Sequence, residues 1–538
     1  MLTNTFATFL VALIITPFLA SAVTIQKPGL AQSATSKDRA SQIASVYRKS
    51  YSAYLRYASG HDALLPLSDG STDPFGGWGA SVVDSLSTSF LMGHKDLYDS
   101  GVEIDQRLPC NTLKWNNLAA PDHCTSSSIA EAGTLILEMD RLSKYTGDSK
   151  YLELAKKAMK TIAQSKAVFP GLFAQVYDPA TGQSTDDYVT WGGGSDSFLE
   201  YLIKYAYLIG DDQDVWIPTW VNSISSSIRH LVEHPEGTQQ SQLTYLGDYS
   251  ASNGGNLPRW SHLGCFAGGN WILGAKMIGN NAFDEYGQAL VAGCANTYTS
   301  SPSGIGPESF VFIGEGNNTN GIKINDAAFY RKHGFDFEVV QYILRPEVME
   351  SVFYAYRTTG DTKWQDIAWS AWKSIYKNCL VKQNGALAAL ANVNATNPTK
   401  LDDSESFVYA ETFKYLYLIF ADPQVADLDK YVFNTEAHPF LVDSPQKASY
   451  DAPEISVKPL GEPGPKKTQP VQPSRSKDGI PVPLFSGLPG LKVPQGVGGE
   501  NTLGNMMGML KKRSNGGDIR GRRGLAKKRQ LDDDEQAN

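Results

Sequence analysis

The chain has 538 residues, enough for two to four ordinary domains or one large helical assembly with extra segments. Hydrophobic residues make up 41% and aromatics 11%, with 26 Tyr and 10 Trp, a composition that supports a sizeable core and suits either carbohydrate contact or aromatic packing. The net charge of −8 points away from a nucleic-acid partner.

In chain order, the first element is an apolar run from Phe6 to Val23. It ends in Ala20-Ser21-Ala22, a small-x-small pattern, and reads as a signal peptide over residues 1–22. Retention of the run as an anchor is the alternative and the only route to membrane attachment, because no other segment is long and apolar enough to span a bilayer. Either way the body enters the secretory lumen. Residues 23–40 read as a flexible lead, and residues 41–441 are dense in apolar periodicity.

Within that body, Leu135, Met139 and Leu142 recur at helical spacing in Ser128–Tyr145. Gly147 then suits a left-handed cap, and Asp148 can cap a helix beginning near Lys150. The same design recurs around Gly210-Asp211 and around Gly360-Asp361 in Ser351–Ser374. Repeated helical hairpins predict an all-α toroid or solenoid. Gln242–Leu246 and Phe310–Ile313 are the best strand candidates. Gly192-Gly193-Gly194 precedes a helix, but no dinucleotide or Walker pattern surrounds it. Residues 442–538 turn to Pro, Gly, Lys and Gln and read as a disordered tail. Its basic clusters, Lys511-Lys512-Arg513, Arg522-Arg523 and Lys527-Lys528-Arg529, suit a solvated tail, dibasic processing or an electrostatic contact.

Several carboxylates lie among apolar residues. Asp196 and Glu200 are spaced i,i+4, and Glu347 and Glu350 i,i+3, so each pair shares one helical face. Glu131, Glu308, Glu405 and Glu411 sit in similarly apolar surroundings. Such acids are costly unless paired, protonated or bound to a ligand. Glycoside hydrolysis needs a set of this kind, one carboxylic acid to protonate the leaving oxygen and one carboxylate to activate water or attack carbon. The competing reading is that the acids cap helices or pair with Arg345, Arg357 and Lys414. No G-x-S-x-G elbow and no H-E-x-x-H zinc pattern is present, and His438 reads as a packed residue. Five cysteines in an oxidising lumen predict one or two disulfides with a thiol left over. Asn317-Asn318-Thr319 and Asn394-Ala395-Thr396 are sequons.

The residues Tyr57-Ala58-Ser59-Gly60-His61-Asp62, Gly77-Trp78-Gly79-Ala80-Ser81 and Gly194-Ser195-Asp196-Ser197 recur in order with Gly304-Ile305-Gly306-Pro307-Glu308-Ser309-Phe310. Tyr342-Ile343-Leu344-Arg345-Pro346-Glu347, Ala410-Glu411-Thr412 and Phe433-Asn434-Thr435-Glu436-Ala437-His438-Pro439 follow. This series resembles the class I α-1,2-mannosidases of glycoside hydrolase family 47, in their fungal form. The resemblance implies an (α/α)7 barrel with the site in its bore. It also implies a monomeric, inverting, Ca²⁺-dependent hydrolase that trims α-1,2-linked mannose from high-mannose N-glycans on glycoproteins in the endoplasmic reticulum, in the Golgi or outside the cell. It assigns Asp196, Glu308 and Glu347 to catalysis, with Glu347 as the base for water and Glu308 in a donor role. It assigns Glu131, Arg345, Glu350, Glu411 and Glu436 to the substrate and Thr435 to calcium. It also implies a Cys265–Cys294 disulfide.

The chain departs from the pattern at one place. The family's F-E-[ST]-T-I-R-x-L-G-G segment, whose Glu is the usual general acid, has no counterpart, and Asp105 is followed almost at once by Leu113-Lys114-Trp115. A skipped exon and a real deletion both account for this. A real deletion leaves the barrel incomplete by about two helices and implies a catalytically impaired, glycan-binding homologue.

Overall fold

Thirteen helices are described, in chain order α1 (Ala34–Tyr57), α2 (Ala80–Leu91), α3 (Ile129–Gly133), α4 (Ile136–Thr146), α5 (Lys150–Ala163), α6 (Asp196–Ile209), α7 (Trp216–His230), α8 (Ala267–Ile278), α9 (Asn281–Ser300), α10 (Ala327–His333), α11 (Glu347–Thr359), α12 (Lys363–Cys379) and α13 (Phe413–Phe420). The computed structural model describes residues 23–77, 79–97, 126–178, 181–211, 213–445, 447 and 449–461. The expected signal peptide over residues 1–22, the break after Asp105, Cys110, Cys124 and the basic clusters lie outside the described residues.

One local device joins the hairpins. Gly147, Gly210, Gly279 and Gly360 end their helices in the left-handed conformation. The next residue then accepts a main-chain N–H two or three positions on: Asp148 from Lys150, Asp211 from Gln213, Asn280 from Phe283 and Asp361 from Lys363, at 2.9–3.1 Å. At Gly279-Asn280 the same joint is built with Asn in the place that Asp holds elsewhere.

The helices form two layers. In α6, α8, α11 and α13 nearly every position is buried, whereas α5 buries only Ala155, Met159 and Ile162 along one stripe. The inner helices pack in succession, α6 on α8, α8 on α11 and α11 on α13, and α1 covers α13 through Tyr47 against Phe413, with ring centroids 5.5 Å apart. Helices α8 and α9 approach through glycines. A Cβ on Gly287 would lie 2.9 Å from the Ile272 side chain and 3.0 Å from the Gly268 carbonyl. Gly287→Ala is therefore expected to cost about 1–3 kcal/mol, read as a lower urea midpoint with unchanged slope. The Cys265–Cys294 disulfide ties the turn before α8 to α9, and Cys379 is a buried free thiol.

Strands are short and connect or cap the helices. Both strand candidates are realised in part, as Tyr245–Leu246 and Ser309–Val311. The latter lies in a sheet between Arg259–Ser261 and Asp336–Val339, both antiparallel to it.

Three expectations need correction. Residues 23–40 are not a flexible lead: Ile25 is 1% exposed, its N–H donates to Asp429, and Gln26 accepts from Arg357 before α1 begins at Ala34. Nor does the tail begin at 442. Asp443 pairs with Arg141 at 2.8 Å, Tyr450 is buried, and the Lys458 carbonyl accepts from Tyr286. Single anchor residues hold both segments, so neither carries an apolar period. Finally, Ser128–Tyr145 is two helices. Ser128 and Glu131 form a capping box, and the chain breaks at Thr134-Leu135, where Gly133 packs tightly on Phe198 of α6. No described helix is long and apolar enough to cross a membrane.

Candidate active site

The carboxylates converge because most stand at the starts of inner helices or on the turns leading into them. Asp196 opens α6 behind the Gly192–Gly194 loop, and Glu347 opens α11 behind Pro346. Glu411 lies in the π-helical turn Val408–Thr412 that runs into α13. Glu308 directly precedes the strand Ser309–Val311, and Glu436 sits in the turn between the strands Tyr431–Phe433 and Pro439–Leu441.

Glu347 is the most firmly held of the set. His262 Nδ1 lies 2.7 Å from Glu347 Oε2, and its Nε2 lies 2.9 Å from Tyr298 Oη. An ionised carboxylate only accepts, so Nδ1 carries the proton. The His262 main-chain N–H donates to the Glu308 carbonyl at 2.8 Å, which ties the ring to the neighbouring acid. Arg345 lies 3.8 Å from the other Glu347 oxygen. Burial alone would raise the Glu347 pKa, but the His262 hydrogen bond and charge together with Arg345 outweigh it and hold the group below the usual carboxylate range.

Arg345 Nε donates to Glu308 Oε2 at 2.6 Å, and its guanidinium sits over the Phe407 ring at 5.5 Å. The second Glu308 oxygen is buried without a hydrogen-bond partner among the described residues. Of the cations offered as structural partners, Arg345 pairs with acids. Arg357 instead clamps Gln26 and the carbonyls of Leu418, Pro423 and Val425, and Lys414 donates to the Ala437 carbonyl.

The other acids are held differently. Burial, reinforced by the charges of Glu200 and Glu347, pushes the Asp196 carboxyl up to about 7. Asp196 keeps some accessible surface, yet the groups packed around it strip away most of its hydration. Glu350 rises to about 8 by burial with Glu200 and Glu347, although Lys204 opposes the shift and Tyr415 donates to it at 3.3 Å. Lys204 is fully buried, bonded to Glu200 and 3.6 Å from Glu350. Glu411 is pushed well above its ordinary range by burial and by Glu436, Glu347 and Glu350. Burial and Asp84 lift Glu436 to about 8. Asp84 and Glu405 rise to about 6 and about 7, mainly through burial. The result is that Glu347 is driven toward the ionised form while Asp196, Glu350, Glu411 and Glu436 are driven toward the protonated form, the division that acid–base catalysis uses.

Thr435 sits at the hairpin tip. Its N–H donates to Tyr201 Oη at 3.1 Å, and Tyr201 in turn donates to Glu138 at 2.6 Å. The Asn434 side chain accepts the N–H groups of Glu436 and His438 and so fixes the turn. His438 bonds to Ser87 at 2.7 Å. The Thr435 carbonyl and hydroxyl oxygens engage no hydrogen bond among the described residues. No group of three or more His, Cys, Asp or Glu among the described residues is arranged to hold a metal ion.

Glu131 lies on α3, whose Ala130 N–H donates to the Gly194 carbonyl in the loop before Asp196. It is exposed, and its carboxylate closes the capping box on Ser128. His262, Tyr298, Lys204 and Asp84 escaped the reading of the sequence as site residues. His262 is 85 residues from Glu347, and Lys204, although four residues from Glu200, meets Glu350 only through the packing of α6 near α11; the segment around His262 has no metal or nucleophile spacing to mark it.

The model for glycosyl hydrolase family 47 matches residues 46–105 and 100–442, in two segments that meet where the expected acid-bearing segment is missing. The chain is 35% identical over 493 residues to the mannosyl-oligosaccharide alpha-1,2-mannosidase of Coccidioides posadasii, covering 76% of this chain and 92% of that one. It is 32% identical over 505 residues to mannosyl-oligosaccharide alpha-1,2-mannosidase 1B of Aspergillus oryzae, covering 97% of the relative. Those 505 aligned positions use 80% of the 538 residues here, about 430, so about 75 aligned positions have no residue in this chain. The solved structure of alpha-1,2-mannosidase from Trichoderma reesei matches with a TM-score of 0.69 at 30% identity, covering 76% of this chain and 99% of that one.

Proposed function

The chain belongs to glycosyl hydrolase family 47, and from that premise we propose that its acid cluster hydrolyses terminal α-1,2-linked mannose on high-mannose N-glycans in the secretory lumen. The observation that carries this reading is the opposed ionisation of Glu347 and Asp196, whose charges act on one another. In this reading Glu347 takes the proton of a water that attacks the anomeric carbon, and His262 and Arg345 keep it ionised for that role. Asp196, protonated up to about pH 7, gives its proton to the leaving oxygen. Water and proton acting from separate carboxyl groups without a covalent intermediate invert the anomeric centre. Glu308, to which the resemblance gives a donor role, is bonded by Arg345, so this reading gives the proton donation to Asp196 and keeps Glu308 with Glu131, Arg345, Glu350, Glu411 and Glu436 as groups lining the sugar site. We assign the inner and outer helix layers to an (α/α)7 barrel, and the protein works as a monomer.

Calcium fits the Thr435 turn. Two neutral oxygens of Thr435 have no hydrogen-bond partner there among the described residues, and Ca²⁺ takes six to eight oxygen ligands, many of them waters or hydroxyls. Thr435 would hold the ion through its carbonyl and hydroxyl, and the ion would supply a template that orients sugar hydroxyls.

A second reading has a specific observation behind it. The two-part family match and the unmatched positions suit a chain that lacks the family's usual general acid, and so a glycan-binding protein of impaired activity. Free mannose measured from a high-mannose oligosaccharide separates the two. Release that stops on adding a calcium chelator and returns with Ca²⁺ is the result expected. Glycan binding without release would replace hydrolysis with binding, and absence of both would leave a helical scaffold.

A further inference from the structure

We propose that the chain is N-glycosylated at Asn317 and at Asn394. Glycan attachment needs Asn-X-Ser/Thr with X other than Pro, and leaves a bulky polar group that must stand in solvent. Asn317-Asn318-Thr319 and Asn394-Ala395-Thr396 are the two sequons of the sequence, and in both the Asn and the Thr are exposed.

Each Asn is turned outward by a neighbour that is turned inward. In the first turn, Asn318 and Asn320 spend their amides on the carbonyls of Asn256 at 3.0 Å and Asn253 at 2.8 Å. Asn317 sits between Gly314 and these anchors in the left-handed region, at φ 58°, which Asn tolerates better than most residues. Its main-chain N–H is fixed by Glu236 at 2.8 Å, while its side-chain amide makes no hydrogen bond among the described residues. In the second turn, Asn392 accepts the Asn394 N–H at 2.9 Å, and the Asn394 amide is likewise uncommitted among the described residues. The surrounding chain is pinned by the pairing of Leu390 with Lys400 and by burial of Val393. The asparagines whose amides hold the fold, such as Asn270, Asn378 and Asn434, carry no Ser or Thr two positions on. Asn392, exposed in the same turn as Asn394, also lacks one. Sequon and free, solvent-facing amide thus coincide at two places.

The donor is a lipid-diphosphate-linked oligosaccharide. The Asn amide nitrogen forms a bond to the anomeric carbon of the innermost sugar, the bond from that carbon to the diphosphate oxygen breaks, the lipid diphosphate leaves, and the amide proton passes to solvent. The inference needs entry into the secretory lumen but not the catalytic reading.

The full chain with its own N-terminal segment, made in a yeast secretory host, tests it. Digestion with peptide-N-glycosidase is expected to increase electrophoretic mobility by two glycan equivalents. N317Q and N394Q should each remove one, and T319A and T396A should do the same while leaving each Asn in place. No mobility shift in the full chain overturns the proposal. A site whose two variants leave the shift unchanged is struck from it. Mannose release assayed on the same preparations scores catalysis separately, so either reading can fail alone.

Discussion

Glu347→Gln is expected to lower kcat by about 10²–10⁴-fold, the usual contribution of a general base, with little change in KM. The substitution keeps the shape and leaves an amide oxygen to accept from His262, so packing at the start of α11 survives. What it removes is the ability to take a proton from water. The pH profile follows from the two shifts. The base works only when ionised, and its pKa lies below the ordinary carboxylate range, so the acid limb should fall at correspondingly low pH. The donor works only when protonated, and Asp196 titrates near 7, so the rate should fall as pH rises through about 7. Asp196→Asn should lower kcat and abolish that alkaline limb. Mannose release by E347Q at the wild-type rate would place the base elsewhere.

Lys204→Met should destabilise the fold by about 3–5 kcal/mol, the usual cost of breaking a buried ion pair from one side. The Lys204 ammonium is buried, bonded to Glu200 and close to Glu350. Removing it leaves carboxylates facing each other without a counter-charge. They can escape only by taking up protons, so the deficit should shrink as pH falls, and E200Q in the same chain should recover part of it. Urea unfolding across pH measures both effects. A loss under about 1 kcal/mol would mean that water reaches the pair and screens it.

Glu131 and His262 show where reading the chain stops. Glu131 sits three residues from Ser128 before an apolar run, which is a capping-box pattern, and the structure gives it that role. Its apolar surroundings group it with the candidate acids, and the resemblance assigns it to the substrate; neither reading separates that from a cap. His262 carries no spacing signal, because its partners Glu347 and Tyr298 arrive from α11 and α9, 85 and 36 residues away.

The sequence by itself determined what a few consecutive residues can encode: the Gly-Asx joints between helices, the i,i+3 and i,i+4 placement of acids on one face, and the ordered motifs of the family. Only the tertiary structure decided which carboxylate is driven toward the ionised form. Asp196 and Glu347 both begin apolar helices and look alike in the chain. Burial raises both, and their pKa values part because His262 donates to Glu347 beside Arg345, while Asp196 faces the like charges of Glu200 and Glu347 with less to offset them. Charge state depends on desolvation and on groups brought from distant elements, and neither is written in local sequence.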